Sequence, residues 1–316
     1  MKSADDPFRP APAVPLTPGR PYLWAMMRNP RSPDRPSSAA EALVARIDAR
    51  TSAGAPRDGV PTGFPSIDQM LGGGPRRQDL VVLSGDVGSG KSSLALAIAV
   101  RSASRGVPVM YLSGEMSEER LMERALAQES RVSVEDLRGG RLDDFTRAAV
   151  GAAAIRLRDI PLQVRSLPGE RFEEVNGALE TVPRRELLII DDLQMTASPV
   201  LADSADERTA ATIRALKALA VDRDVAILVL AQLPRFRAGR RDPRPTLDDL
   251  GGQGVVKQVA DVVLSVYREE MYRPGYGVEG AVELIIAKNR NGSTGHADLF
   301  FYRNWLRFED MLDPER

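Results

Sequence analysis

Residues 80–93 of this 316-residue chain hold the segment that most constrains its fold. An apolar run, Leu80-Val81-Val82-Leu83-Ser84, leads into the loop Gly85-Asp86-Val87-Gly88-Ser89-Gly90-Lys91-Ser92, and a helical pattern opens at Lys91. Glycines at 85, 88 and 90 let successive backbone N–H groups turn inward, and the helix aims its positive end at the same point. The concavity suits phosphate, with a buried strand behind it and a helix ahead. The candidate binding residues are Gly85, Asp86, Val87, Gly88, Ser89, Gly90, Lys91, Ser92 and Ser93. Lys91 is placed to reach the β- and γ-phosphates of ATP, and the Ser92 hydroxyl to ligate Mg²⁺. The competing reading is a glycine-rich turn with an incidental lysine; the strand–loop–helix context argues against it.

That segment belongs to a longer pattern. From about Gly59 onward, apolar runs alternate with helical periodicity, which predicts an α/β domain with a mostly parallel, twisted sheet flanked by helices. Strands are expected over 80–84, 109–113, 161–165, 187–191, 226–231 and 261–267. Helices are expected over 91–103, 118–129, 143–157, 172–181 and 205–223. Two later strands, 282–288 and 297–302, flank Asn291-Gly292-Ser293-Thr294-Gly295 and read as a C-terminal β-hairpin. Residues 1–37 carry nine prolines among scattered arginines, which predicts a disordered arm with one apolar island at Tyr22-Leu23-Trp24-Ala25-Met26-Met27. Residues 38–50 read as a helix with serine at its start and Ala40, Leu43, Val44 and Ile47 on one face. A flexible linker follows at 51–57. The expected organisation is therefore an arm (1–37), a helix and linker (38–58) and the main domain (59–316).

Composition removes other chemistries. The chain has no cysteine and a single histidine, His296, which excludes disulfides, thiolate metal sites and multi-histidine zinc sites. No apolar run approaches a membrane span and no signal peptide opens the chain, so a cytoplasmic protein is expected. A formal net charge of −1 gives no global pull toward nucleic acid, so any such binding must be local. Lysine occurs only at positions 2, 91, 217, 257 and 288, the other basic residues being arginine. Each lysine is thus informative.

Further candidates stand at strand ends. Asp191 closes the apolar run Leu187-Leu188-Ile189-Ile190 and could hold Mg²⁺ through water, with Asp192 as the alternate. Glu115 follows Val109-Met110-Tyr111-Leu112 and could orient and deprotonate an attacking water; a helix N-terminal acid is the plainer alternative, a role Glu118 or Glu119 already fills. Gln232 ends the run 227–231 and could sense a γ-phosphate; otherwise it is an ordinary polar strand end. Lys288 and Arg290 fall on one face by strand alternation. Two cations projecting together suit a γ-phosphate held by an adjacent subunit, and a solvated surface pair is the alternative.

In this order, the elements resemble the RecA-like motor domain of the DnaB family of replicative helicases, over roughly residues 39–312. The resemblance is carried by Pro61-Thr62-Gly63-Phe64 with Ile67-Asp68, the phosphate-binding loop, and Ser113-Gly114-Glu115-Met116. It continues through Leu137-Arg138-Gly139-Gly140, Ile190-Asp191-Asp192-Leu193-Gln194 and Ala231-Gln232-Leu233-Pro234-Arg235. Asp261 with Tyr267-Arg268-Glu269-Glu270 follows, then Lys288-Asn289-Arg290-Asn291-Gly292 and Trp305-Leu306-Arg307-Phe308. It implies a homo-hexameric ring with ATP at subunit interfaces, single-stranded DNA in the channel, and replication or recombination proteins as partners. It also implies Lys91, Ser92, Glu115, Asp191 and Gln232 acting in cis and Lys288 and Arg290 in trans, with helix 38–50 packing on a neighbouring subunit.

Three departures accompany it. Residues 1–37 are not expected to replace the helical N-terminal domain of the family. The family's DNA-gripping loop usually reads Asp-Leu-Arg-Glu-Ser-Gly, whereas here it reads Asp249-Leu250-Gly251-Gly252-Gln253-Gly254, without the arginine. Lys257 and arginines 235, 237, 240 and 241 are the cations available to compensate. Finally, Gly85–Ser92 and Tyr111-Leu112-Ser113-Gly114-Glu115 are closer to the RadA recombination ATPases, whose cysteine zinc motif this chain lacks. A nucleotide-switched scaffold that does not unwind DNA is thus the second functional expectation.

Overall fold

The structure is a computed structural model, described here for residues 38–53, 59–166, 172–180, 186–193, 204–233, 240–252, 254–275 and 277–312. The expectations for the arm 1–37, for linker residues 54–57, and for Gln194, Pro234, Arg235, Arg237 and Gln253 lie outside these residues. The chain divides into two compact units, Met1–Arg57 and Asp58–Arg316.

The first unit contributes helix α1 (Ala39–Ala53). Ser38 and Glu41 cap it reciprocally: Glu41 N donates to Ser38 Oγ and Ser38 N to Glu41 Oε2, each at 3.2 Å. The helix runs past residue 50 and takes Thr51–Ala53 from the expected linker.

The second unit is built on nine strands: β1 (Leu80–Gly85), β2 (Val109–Ser113), β3 (Leu162–Ser166), β4 (Leu187–Asp191), β5 (Ala226–Gln232), β6 (Val262–Tyr267), β7 (Ala281–Asn289), β8 (Gly295–Tyr302) and β9 (Arg307–Asp310). Their order across the sheet is β3-β2-β4-β5-β1-β6-β7-β8-β9. Neighbours from β3 to β6 are parallel and those from β6 to β9 antiparallel. β1 lies between β5 and β6, so the chain enters the sheet's interior before building outward, and the crevice at β1's carboxyl end falls where connections diverge.

Burial on both faces explains why β1, β2, β4, β5 and β6 read as continuous apolar runs. Val81, Leu83, Tyr111, Ile189, Leu228 and Leu264 enter one core with Ile67, Leu94, Ile98, Leu121 and Leu157. Their sequence neighbours Leu80, Val82, Met110, Leu112, Ile190 and Val229 enter the other with Val175, Ile213, Leu216 and Val256. One face is thus covered by α2 (Pro65–Met70), α3 (Lys91–Ser104), α4 (Glu118–Ser130) and α6 (Asp144–Asp159). The other is covered by α7 (Phe172–Glu180), α8 (Ala205–Asp222) and α9 (Val255–Val259), while the short α5 (Val134–Gly139) buries no residue. Serines 117, 133 and 204 and Asp143 cap α4, α5, α8 and α6 by accepting a backbone N–H.

The expected C-terminal hairpin is β7–β8, and the structure extends it. Leu306 takes a left-handed turn (φ 52°) and reverses the chain into β9, which pairs with β8. Phe301 and Phe308 then stack with centroids 4.5 Å apart. Asp310, fully buried, accepts Ser66 N at 2.7 Å and Ser66 Oγ at 2.5 Å, fastening the start of α2 to the last strand.

Candidate nucleotide-binding site

The loop joining β1 to α3 opens into a cleft of about 610 Å³ lined by Gly88, Gly90, Lys91, Ser92, Glu115, Asp191, Asp192 and Gln232, among others. Gly88 and Gly90 sit at φ 77° and 101°, a backbone turn that points N–H groups inward. Gly90 has a second constraint: a Cβ there would stand 2.9 Å from the Phe308 ring. The position must be glycine for its torsion and for its closeness to β9.

Inside the cleft, Lys91 Nζ donates to the carbonyls of Gly85 (3.0 Å) and Asp86 (2.9 Å). Burial pulls its ammonium below the usual lysine range, opposed by Asp192, Asp191, Asp86 and Glu115. Ser92 Oγ donates to Asp191 Oδ1 at 3.2 Å, and Tyr111 OH donates to Asp191 Oδ2 at 2.7 Å. Burial raises the Asp191 carboxyl above its usual range and raises the Tyr111 phenol well above its own. Gln232 Nε2 bridges two acids, donating to Asp192 Oδ2 at 3.0 Å and Glu115 Oε1 at 3.4 Å. Glu115 is exposed at the cleft edge; partial desolvation, then Asp192 and Asp191, raise its carboxyl.

The structure therefore brings the loop, Ser92, Glu115, Asp191 and Gln232 together at the carboxyl ends of β1, β2, β4 and β5. It also separates the two adjacent acids: Asp191 faces Ser92, while Asp192 faces Gln232. Among the loop residues, Asp86 accepts Val87 N at 2.7 Å and Tyr272 OH at 3.3 Å, Val87 is exposed, and Ser93 is buried.

A triphosphate and Mg²⁺ fit this donor set. Ser89 Oγ is buried within the loop without a hydrogen-bond partner, and the oxygens of Ser92 and Asp191 suit a small hard cation.

Other residues converge that strand-end reasoning did not single out. Arg268, with a side chain 4% exposed, donates to Gly88 O at 3.3 Å and pairs with Glu270, which also holds Arg303 at 2.8 Å. Arg268, Arg303 and Arg124 all line the cleft. Arg268 and Glu270 stand within a matched motif, but nothing in sequence spacing aims them at residue 88.

Lys288 and Arg290 lie elsewhere. β7 runs antiparallel to β6 and pairs Lys288 with Val263, whereas the cleft is met beyond the other end of β6, at Arg268. About five residues of strand, on the order of 16 Å, separate the two levels. Lys288 Nζ donates to Lys257 O (2.7 Å), Gln258 O (3.2 Å) and Ala260 O (2.6 Å), and Arg290 donates to Gln258 O at 3.1 Å. Both side chains therefore do lie on one side of the strand end. Burial, then the nearby Arg290, lower the Lys288 ammonium.

Gly254, which closes the segment 249–254, is the N-cap of α9. Gly252, at φ 76°, donates its N–H to Asp206 Oδ1 at the start of α8 (2.9 Å). Of the compensating cations expected there, Lys257 pairs with Asp248 (2.7 Å) and Arg240 with Asp249 (2.6 Å); Arg241 is exposed.

Comparison with known proteins places these features in a family. Residues 59–310 match the model of the DnaB-like helicase C terminal domain. The chain is 32% identical over 257 residues to the replicative DNA helicase DnaB of Leifsonia xyli subsp. xyli (strain CTCB07), covering 80% of this chain and 56% of that protein. It thus spans little more than half the length of such relatives. Among solved structures, one ATPase domain superposes with a TM-score of 0.79 at 26% identity, covering 88% of this chain and 100% of that one. A DnaB-like replicative helicase, whose structure was described with its interactions with primase, gives a TM-score of 0.78 at 26% identity over 88% of this chain and 68% of that one. The α/β fold expected from the sequence is thus the family's fold, and the chain belongs to the DnaB-like helicase C-terminal domain family.

Proposed function

We propose that this chain is an ATP-hydrolysing DNA motor of the DnaB type, working as a homo-oligomeric ring that moves on single-stranded DNA. The observation that carries the reading is the convergence, in one cleft, of a phosphate-binding loop with Ser92–Asp191 and with the Glu115–Gln232–Asp192 cluster. Backbone N–H groups of Gly88 to Ser92 bind the triphosphate, and Lys91 exchanges the loop carbonyls for β- and γ-phosphate oxygens. Ser92 and Asp191 hold Mg²⁺, which when bound neutralises charge on those oxygens. Glu115 accepts the proton of the attacking water; its raised carboxyl makes it a better base than a free glutamate. Gln232, hydrogen-bonded to that base and leading out of β5, passes the state of the γ-phosphate to the chain beyond it. Arg290 and Lys288 lie too far from this cleft to serve it in cis, which favours action on a neighbour's nucleotide by Arg290, the more exposed of the two.

The test is Mg²⁺-dependent ATP turnover with and without single-stranded DNA, alongside sizing with a non-hydrolysable ATP analogue. Stimulation by DNA and a six-fold species are expected; turnover indifferent to DNA and a monomer at all nucleotide concentrations defeat the motor reading.

A second reading, a nucleotide-switched scaffold that does not unwind, is favoured by the loop 249–254. It lacks the family's arginine, and its neighbours Lys257 and Arg240 are paired with Asp248 and Asp249. A forked-duplex unwinding assay beside a DNA-binding titration separates the two. Among the described residues no helix is long and apolar enough to cross a membrane. Such a motor would act in the cytoplasm beside other replication or recombination proteins.

A further inference from the structure

At the amino-terminal edge of the parallel sheet stands a buried acid that the nucleotide cleft does not use. Asp261, 3% exposed, immediately precedes β6. Its Oδ2 is held from behind: Leu80 N donates at 2.8 Å and Lys217 Nζ, from α8, at 2.6 Å. Lys217 is itself fixed by Gln78 O at 2.7 Å. The other oxygen, Oδ1, pairs with Arg290 Nη1 at 3.1 Å, while the Asp261 carbonyl accepts Arg290 N at 2.9 Å. The arginine side chain is 52% exposed. We propose that Asp261, oriented by Lys217, is the positioning residue for Arg290, presenting its guanidinium to the nucleotide of an adjacent subunit; this rests on the trans role proposed above.

Three features support the assignment. Arg290 donates one N–H to Gln258 O and pairs through Nη1 with the Asp261 carboxylate, and a guanidinium carries five N–H groups, so the remainder of the fork stays available to a phosphate. Lys288, by contrast, spends its ammonium on carbonyls at the carboxyl end of α9, where a cation complements the helix dipole. The apparent pair therefore divides into a presented arginine and a lysine that pins α9. The second feature is rigidity. An exposed arginine loses much rotamer freedom when it binds, and holding it in place beforehand removes part of that cost from the catalytic step. The third is charge. Lys217 already compensates Asp261, so the carboxylate can hold Arg290 without drawing it away from an incoming phosphate.

The experiment is a double-mutant cycle on steady-state ATP turnover by the assembled protein. Arg290→Ala is expected to lower kcat by about a thousandfold, at the modest end of the range for such arginines. Asp261→Asn should lower kcat about tenfold and leave KM for ATP within about twofold, and it should cost less than about twofold more when added to Arg290→Ala. Lys217→Met should follow the same pattern more weakly, and stands in if Asp261→Asn fails to fold. A purely structural acid would lower turnover equally in both backgrounds, and that outcome overturns the positioning role. So does normal turnover by a folded Asp261→Asn protein whose Arg290→Ala counterpart is crippled, with the trans reading intact. Normal turnover by Arg290→Ala removes the trans reading, and the proposal with it.

Discussion

The two ends of the parallel sheet differ in how they are built. At the carboxyl edge, strand after strand ends in a polar residue, and Glu115, Asp191 and Gln232 meet the glycine loop because parallel strands bring equivalent ends side by side. At the amino edge, Asp261, Lys217, Lys288 and Arg290 come from three elements or their flanks (β6, α8 and β7), and the order of these elements in the chain gives no reason to expect a meeting. The first edge has a phosphate cradle whose lining includes Arg124, Arg268 and Arg303, the last two paired with Glu270. The second has a half-exposed arginine and, among the described residues, no glycine cradle. Under the proposed trans reading the cradle of one copy and the arginine of another make one site, which is the logic of a site completed between copies.

Mixing variants is the strongest way to break that comparison. Lys91→Ala disables the carboxyl edge, and Arg290→Ala the amino edge; each alone should reduce turnover by roughly two to three orders of magnitude. If the edges serve different copies, an equimolar mixed ring holds some interfaces with an intact loop on one side and an intact arginine on the other. Random assembly makes that about a quarter of interfaces, so turnover should recover to about a quarter of wild type. Absence of any recovery after subunit exchange would place both edges in one site.

Within the carboxyl edge alone, Glu115→Gln should reduce kcat by about a hundredfold or more. The sign of the pH dependence follows from the raised carboxyl: the basic form is lost on acidification at a higher pH than for an ordinary glutamate. The acidic limb of kcat/KM, which reports the free enzyme, should lie above that ordinary value and vanish in the residual activity of the glutamine variant. A limb that survives unchanged would assign the titration to another group.

A smaller effect is expected at Gly90, which ties the cradle to the last strand. Gly90→Ala strains a left-handed torsion and presses on Phe308. A cost of about 1–3 kcal/mol, shared between nucleotide affinity and stability, is expected. Phe308→Ala made together with it should restore part of the affinity, because the ring accounts for one of the two constraints.

How legible each edge was depends on the range of the interactions that form it. Strands buried on both faces leave long apolar runs, so β1, β2, β4, β5 and β6 and the polar residues at their ends could be read directly. β9 could not, being four residues long and held by Phe308 stacking on Phe301 and by Asp310 on Ser66. Helix α9, five residues, owes its existence to Val255 and Val256 entering the core, and helices so short have no stability of their own. Lys288 and Arg290 could be placed on one face by alternation, but their division into a pinned lysine and a presented arginine depends on carbonyls about 30 residues away in sequence. Arg268 reached Gly88 through folding alone.

The smallest effect tests how the amino edge is joined to DNA. Gly254 is the N-cap of α9, and carbonyls near the carboxyl end of that helix accept from both Lys288 and Arg290. Lys257, on that helix, is engaged by Asp248, and an exposed pair of this kind is worth less than about 1 kcal/mol. Asp248→Asn frees the lysine and leaves the loop backbone and its Asp206 anchor untouched. Affinity for single-stranded DNA should rise by about two- to fivefold at low salt. If the freed ammonium meets one phosphate, the slope of log affinity against log salt should steepen by about 0.7. Unchanged affinity with an unchanged slope would mean that DNA does not approach this side of α9, and would remove the loop from any path between DNA and the arginine.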